Sequence, residues 1–329
     1  MPGTPSFLLN GREIPLADAD ATESLLRWLN RHGRHGTKEG CADGDCGACT
    51  VAVRVAGEDG RARYDAINSC LLPIGAVSGR EIVTVEALAD GSALHPVQQA
   101  MYDCAGSQCG YCTPGFVMSL FAAYYTGELD DGATEGNLCR CTGYRPIREA
   151  TALLAAAPPR EDRFVAALAE PLDSGPAAPV GRFHNPDTIG DALALKSAHP
   201  EATWIAGATD LGVSLGRGRE VATAFIALDR VAELAQIDVT DDAVRIGACS
   251  TLSRVGTRLA GMFPALDQML PWFAGRQVRN RSTFGGNLGT ASPIGDLLPV
   301  LLALDAAVEL RSARGGRTVA AQDFFLDYR

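Results

Sequence analysis

Eight of the ten cysteines fall into two groups whose spacing suits ligands. Cys41, Cys46 and Cys49 lie within nine Gly-rich residues, "CADGDCGAC", and Cys70 follows after twenty more. Cys109 and Cys112 form a Cys-x2-Cys pair, and Cys139 and Cys141 a Cys-x-Cys pair. Thiolates are soft ligands suited to zinc or to iron–sulfur clusters. Three cysteines on so loose a loop are hard to place in an apolar core, so a ligand role is favoured over burial. Gly44 and Gly47 permit the backbone angles needed to turn three thiolates towards one centre, and let N–H groups approach it.

The first group has the Cys-x4-Cys-x2-Cys…Cys spacing of plant-type [2Fe–2S] ferredoxins. Zinc sites are usually built from paired short Cys-x2–4-Cys knuckles, which this triplet fits less well. The second group on its own suits zinc and a cluster equally. A Cys-x-Cys pair directs both thiolates into a small volume only off a helix, and Thr142-Gly143 is compatible with that. Beside a ferredoxin-type loop in the same chain, a second redox cluster is the favoured reading. Cys104 and Cys249 match neither group and are expected as small core residues. His32, His35, His95, His184 and His199 sit in no catalytic motif, and His95 before Pro96 is expected to start a helix. No acid–base or nucleophilic catalyst is expected.

The chain of 329 residues is 47% hydrophobic and 21% charged, enough for two or three domains. Net charge is −10, which argues against a nucleic acid or an anionic membrane as partner. No apolar run approaches the ~18 residues of a membrane span. The N-terminus lacks the basic-then-apolar pattern of a signal peptide. The cytosol is the expected compartment, where cysteines bind metal or do redox chemistry more often than they form structural disulfides.

These ligands need elements to position them. Phe7–Leu16 predicts a β-hairpin turning at Asn10-Gly11. Asp20, with Glu23 three residues on, is expected to cap a helix bearing Leu25, Leu26 and Leu29. Val51, Val53 and Val55 predict a strand with one buried face, turned by Gly57–Gly60 into a strand over Arg61–Ile67. From Ser92 the pattern is helical: a start at Pro96, an N-cap at Thr113 before Pro114 with a stop at Gly127, and a helix from Pro146 to Ala157. Ala157–Val180, rich in Ala and Pro, predicts an extended linker. Beyond it, strands ("TWIAGA", "VRIGA", "AAVELRS") alternate with helices ("IGDALALKSA", "GDLLPVLLAL"). The expected organisation is an α+β multidomain chain: a ferredoxin-like domain over 1–85, a helical [2Fe–2S] domain over 86–157, a linker over 158–180 and an α/β domain over 181–329.

In that last domain, "TWIAGATDLGV" and "STFGGNLGTASPIGD" have the small side chains, hydroxyls (Thr209, Ser282, Thr283, Thr290) and exposed N–H groups of a diphosphate cradle. Ordinary α/β loops share these features, and no Gly-x-Gly-x-x-Gly indicates a Rossmann site.

With "HPVQQAM", "QCGYCTPGF" and "NLCRCTGYRPI", the chain resembles the xanthine dehydrogenase family of molybdenum hydroxylases. Its domain order resembles that of the small, iron–sulfur and flavin subunit of bacterial members. "WFAGRQVRNRSTFGGN" is similar to the family's central flavin-domain signature. The resemblance implies a β-grasp ferredoxin domain and an FAD-binding domain of the vanillyl-alcohol-oxidase (PCMH) type. Cys109, Cys112, Cys139 and Cys141 would hold the [2Fe–2S] cluster nearer the molybdopterin, and Cys41, Cys46, Cys49 and Cys70 the one nearer the FAD. Gln108 matches a residue close to the molybdopterin. Trp204, Ile205, Ala206, Gly207, Ala208, Thr209, Asp210 and Leu211, with Ser282, Thr283, Phe284, Gly285, Gly286 and Asn287, would surround the diphosphate and adenosine. Phe273 would lie near the isoalloxazine, and Asp296 near the ribityl or diphosphate.

The resemblance further implies an oxidoreductase working as a hetero-oligomer. A molybdopterin-binding large subunit would hydroxylate xanthine or hypoxanthine, and electrons would pass through both clusters to FAD and on to NAD⁺. An aldehyde or N-heterocycle hydroxylase would have the same small subunit. A zinc-binding interaction protein without catalysis is the alternative of another class. Two departures stand out. Ala208 occupies a position where relatives often carry a polar residue such as Asn. The sequence also stops at "DFFLDYR", where relatives continue into a further α/β subdomain, so a truncated flavin domain is expected.

Overall fold

Asn10 and Gly11 both adopt positive φ, 55° and 75°, and reverse the chain between β1 (Ser6–Leu9) and β2 (Arg12–Pro15). A computed structural model describes residues 4–58, 60–157, 159, 161–172, 177–219 and 222–325. Asp59 of the predicted turn, parts of the predicted linker (158, 160 and 173–176) and the last four residues lie outside the described residues.

The expected α+β architecture is present. The hairpin leads to α1 (Leu25–Arg31), then β3 (Thr50–Ala56), β4 (Ala62–Asn68) and β5 (Glu81–Val83). The five strands form one sheet in the order β2-β1-β5-β3-β4, with β1 and β5 parallel. Helix α1 starts later than predicted. Ser24 accepts from the Arg27 N–H as its N-cap, while Asp20 accepts from the backbone and hydroxyl of Thr22 in a local turn. Strand β3 also departs from expectation: Val51, Ala52 and Val53 are all buried, so both of its faces are covered.

What covers the second face is the helical segment, α2 (Pro96–Asp103), α3 (Thr113–Thr126) and α4 (Arg145–Ala155). His95 caps α2, accepting from the Val97 N–H through Nδ1. Cys112, not Thr113, is the N-cap residue of α3; the Thr113 hydroxyl bonds Ser107 instead. Ten consecutive residues of α3, Gly115–Tyr124, are buried, as befits a helix enclosed on all sides. One core joins Ala52, Tyr64 and Ala66 of the sheet to Phe116, Leu120 and Phe121 of α3. The predicted extended linker contains α5 (Arg163–Ala169). Asp162 caps it by accepting from the Phe164 and Val165 N–H groups, and Phe164 packs among Tyr64, Phe121 and Tyr125. The Ala- and Pro-rich composition concealed a short capped helix with a single aromatic anchor.

The last third begins with β6 (Phe183–His184), α6 (Ile189–Ala198), β7 (Thr203–Ile205), α7 (Leu211–Gly216) and β8 (Phe225–Ala227). These strands form a parallel sheet in the order β6-β8-β7. A second lobe follows: β9 (Ile237–Val239), β10 (Val244–Ile246), α8 (Leu252–Arg258), α9 (Pro264–Met269), α10 (Arg276–Arg279), α11 (Phe284–Thr290) and α12 (Leu297–Ala303). The hairpin β11 (Ala307–Ser312) and β12 (Gly315–Ala320) and the turn α13 (Ala321–Phe324) complete it. The predicted loop after Ser282 is partly α11, capped by Thr283 accepting from Gly286 N–H. A core built from Phe7, Leu29 and Ile74 of the first domain continues into Phe183, Ile205 and Phe225 of the third.

Candidate functional site

The loop carrying the first quartet bends through Gly44 (φ 93°) and Gly47 (φ 66°), as its composition predicts. Its sulfurs pair. The Cys41 N–H donates to Cys46 Sγ and the Cys46 N–H to Cys41 Sγ, both at 3.3 Å, while Cys49 and Cys70 bring their sulfurs to 3.3 Å in the interior. Asn68 Nδ2 donates to Cys49 Sγ at 3.8 Å. In the second quartet the Cys109 thiol faces that of Cys141, and the Cys112 thiol that of Cys139. Thr142 Oγ1 donates to Cys139 Sγ at 3.2 Å.

Among the described residues no three His, Cys, Asp or Glu side chains gather as the ligands of one metal ion. A [2Fe–2S] centre has two irons, each completed by two thiolates, and the paired sulfurs fit that demand twice over. Within pairs the protons are shared unequally. Cys70 is pushed up and Cys49 down, to about 7, chiefly by their mutual bond. Burial raises Cys112 to about 12, and burial would also raise Cys139, but bonds from Thr142 outweigh it and bring Cys139 to about 7.

The quartets differ in access. Cys49 and Cys70 are buried, whereas Cys109 and Cys141 are exposed, next to exposed Gln108, Tyr111, Leu138 and Tyr144. Backbone joins the two: Leu138 N–H donates to the Cys46 carbonyl at 3.0 Å, one residue before Cys139. The Tyr111 hydroxyl also donates to the Glu39 carbonyl beside the first loop. Cys104 ends α2 and packs partly buried on the helical core; Cys249 is buried, and burial raises its thiol to about 12.

The two Gly-containing segments of the third domain meet. Thr209 and Ser282 hydroxyls are 3.1 Å apart. A Cβ at Gly207 would lie 1.9 Å from the Arg281 carbonyl, so only glycine permits this approach. Arg281 donates to the carbonyls of Ala206 and Gly207 and pairs with Asp229 at 2.9 Å. Asp229 also binds Arg80 of the first domain at 2.6 Å. Burial alone would raise the Asp229 carboxyl, but Arg80 and Arg281 hold it below the usual range. Ile205, Gly207, Ala208, Ser282, Thr283 and Phe284 are buried, Ala206, Thr209, Leu211, Gly285 and Asn287 half-buried, and Trp204, Asp210 and Gly286 exposed. Asn287 Oδ1 is a buried acceptor without a hydrogen-bond partner. The hydroxyl pair, which can donate, and the close approach at Gly207 fit a diphosphate-type ligand, whose oxygens accept hydrogen bonds. Phe273 packs on the core that holds Phe284 and Leu288, and Asp296 is exposed at the head of α12. Ala208 takes φ 66°, the left-handed region that Asn and Gly tolerate better than Ala.

From this cradle α7 runs onto the first quartet. A Cβ at Gly212 would lie 2.2 Å from the Leu71 carbonyl, next to Cys70, and Gly216 lies over Ala42, next to Cys41. Arg217 pairs with Asp43 at 3.2 Å. A narrow cleft bounded by Asn68, Leu71, Gly207, Thr209 and Arg281 lies between the quartet and the cradle. Several polar residues that hold these parts together were assigned no role from sequence: Ser119 and Asp229, and also Asn137, Gln277 and Asn280, although these three lie inside quoted motifs. For Gln277 and Asn280 the available signal was the run of Arg, Gln and Asn inside "AGRQVRNR".

Residues 7–74 match the family described as "2Fe-2S iron-sulfur cluster binding domain", residues 84–152 "[2Fe-2S] binding domain" and residues 178–329 "FAD binding domain in molybdopterin dehydrogenase". Xanthine dehydrogenase of Emericella nidulans is 32% identical over 98% of this chain and 29% of its own length. Xanthine dehydrogenase 1 of Arabidopsis thaliana is 31% identical over 98% of this chain and 30% of its own. The solved aldehyde oxidoreductase of Desulfovibrio gigas is 32% identical, covering 47% of this chain and 17% of that one, with a TM-score of 0.41. The chain spans just under a third of the length of the curated relatives it matches. With two [2Fe–2S] domains followed by an FAD-binding domain along almost its whole length, the chain belongs to the xanthine dehydrogenase family of molybdenum hydroxylases, as the iron–sulfur and FAD-binding portion.

Proposed function

We propose that this chain is the electron-transfer portion of a molybdenum hydroxylase that oxidises xanthine or hypoxanthine, with a molybdopterin-binding partner as electron source and NAD⁺ as final acceptor. When bound, the two clusters supply one-electron carriers, and the flavin joins one-electron to two-electron chemistry. The observation that carries the proposal is the alignment of three sites in one packed body: a quartet with two exposed cysteines, a second quartet one hydrogen bond away with two buried cysteines, and a nucleotide cradle seated on that second quartet.

Each part has its own task. Cys109, Cys112, Cys139 and Cys141 would hold the outer cluster, and the exposed Tyr111, Leu138 and Tyr144 around it offer a partner subunit an apolar surface. Cys41, Cys46, Cys49 and Cys70 would hold the inner cluster, with Cys49 and Cys70 buried and Cys41 and Cys46 half-buried. Asn68 and the loop N–H groups stabilise negative charge on the sulfurs. Gly207, Thr209, Ser282 and Asn287 would hold the diphosphate, with Phe273 towards the isoalloxazine and Asp296 towards the ribityl chain. No helix among the described residues is long and apolar enough to cross a membrane; a cytosolic hetero-oligomer suits the acidic, cysteine-rich chain.

The test is to purify the chain with its partner subunit and add xanthine anaerobically. Bleaching of the visible iron–sulfur and flavin absorption, reversed by NAD⁺, is expected. A loaded complex that xanthine leaves oxidised, but an aldehyde or N-heterocycle reduces, would replace the substrate and keep the electron-transfer role.

A further inference from the structure

Gln277 stands where all three domains meet. It comes from α10 in the third domain and is 2% exposed. Its Nε2 donates to Ser119 Oγ and Asn137 Oδ1, both at 2.9 Å in the helical domain, and approaches Thr50 Oγ1 at 3.5 Å in the ferredoxin domain. These acceptors form one network. Ser119 donates to Asn137 Oδ1 at 2.7 Å, and Asn137 Nδ2 donates to the Gly47 carbonyl at 3.0 Å. The Thr50 hydroxyl donates to the same carbonyl at 2.6 Å.

The network lies against both quartets. Gly47 and Thr50 flank Cys46 and Cys49, and Asn137 is two residues before Cys139. On the other side α10 leads directly into Arg281 and Ser282, which lock the cradle at Gly207 and Thr209. Gly136 presses on the amide: a Cβ there would lie 1.8 Å from Gln277 Oε1, an oxygen that is buried without a partner. An amide half-satisfied in the interior is costly. Apolar packing would fill the same space but would leave the seam free to slide.

We propose that Gln277 is a positioning residue for electron transfer, fixing the spacing of the two cysteine quartets to each other and to the flavin cradle. The proposal rests on the electron-transfer reading above. Its neighbour Arg276 makes a contrasting contact. It pairs with Glu128 and Asp130, whose side chains are 44% and 66% exposed, so it grips the rim and touches neither quartet.

The test uses the full chain loaded with both clusters and flavin, in three variants: Gln277→Met, Ser119→Ala and Arg276→Ala. Iron, sulfide and flavin are counted first. The clusters are then reduced with dithionite, and the dipolar splitting between the two paramagnetic centres is read by electron paramagnetic resonance, alongside the rate of flavin reduction. Gln277→Met is expected to keep its cofactors, to change the splitting, and to slow flavin reduction by roughly ten- to a hundredfold, as small misplacements remote from the reacting groups do. Ser119→Ala, which removes one acceptor, should shift the splitting in the same sense but less, and Arg276→Ala should leave it unchanged. If Gln277→Met fails to fold or load, Ser119→Ala decides alone. An unaltered splitting and rate in a fully loaded variant overturns the role of Gln277 and leaves the electron-transfer reading standing. A wild-type chain without iron and sulfide overturns both.

Discussion

At the scale of single residues, the two cysteine quartets stood out because ligand chemistry fixes residue type and spacing together. Their surroundings did not. Asn68, two residues before Cys70, carries no motif of its own, yet it donates to Cys49 Sγ. Asn68→Leu should lower the reduction potential of the inner cluster on the order of 40 mV, the one-electron equivalent of about 1 kcal/mol for a lost hydrogen bond. Redox titration of the loaded chain checks this, and an unchanged or raised potential contradicts it. Asp229 is the clearest residue missed by sequence reasoning, since an Asp in "ALDRV" has no motif, and only the fold sets it between Arg80 and Arg281. Asp229→Asn leaves two guanidinium groups without their counter-charge and should cost about 3–5 kcal/mol in denaturant unfolding. The sign with pH follows from its depressed folded value. The stabilisation is complete above about pH 4, the ordinary carboxylate value, and is lost as pH falls through the lower folded value. The Asn variant should lack that acid limb. Ala208, strained at positive φ, gives the opposite expectation: Ala208→Gly should stabilise by about 1 kcal/mol.

At the scale of elements, the hairpin, the helix starting at Pro96 and the alternating strands and helices of the last third were read correctly because turn chemistry and proline are local signals. Errors arose where capping had several candidates. Asp20 and Ser24 both precede α1, and only tertiary packing selects Ser24. The largest error was the linker, because a seven-residue helix anchored by Phe164 leaves almost no periodic pattern. Its cap also belongs to a longer chain of bonds. His95 bonds Tyr125 at 2.8 Å, and the Tyr125 hydroxyl donates to Asp162 at 2.5 Å. Asp162→Ala should therefore cost about 1–2 kcal/mol and speed hydrogen exchange in Arg163–Ala169. Unchanged exchange there would show that Phe164 alone holds the helix.

At the scale of the whole molecule, three domains are visible in the sequence, but their cores do not respect the boundaries. One core unites the sheet with the helical domain, and another unites the first domain with the strands of the third. Sequence periodicity reports that a face is buried, not against which partner, so this sharing was not readable beforehand. The signature containing α10 shows the same limit. It was assigned to the flavin, while its side chains in fact also dock the third domain on the other two: Asn280 donates to the Ala66 carbonyl, Arg276 pairs with Glu128 and Arg279 with Glu135. Calorimetry of the described architecture should accordingly give one cooperative transition spanning all three domains, and separate transitions would contradict shared cores. The central claim is that the paired sulfurs serve two [2Fe–2S] centres beside one flavin. The most direct measurement is the iron, acid-labile sulfide and zinc content of the anaerobically purified chain. About four iron and four sulfide per chain are predicted; zinc bound to the cysteines, with no sulfide, would contradict the account.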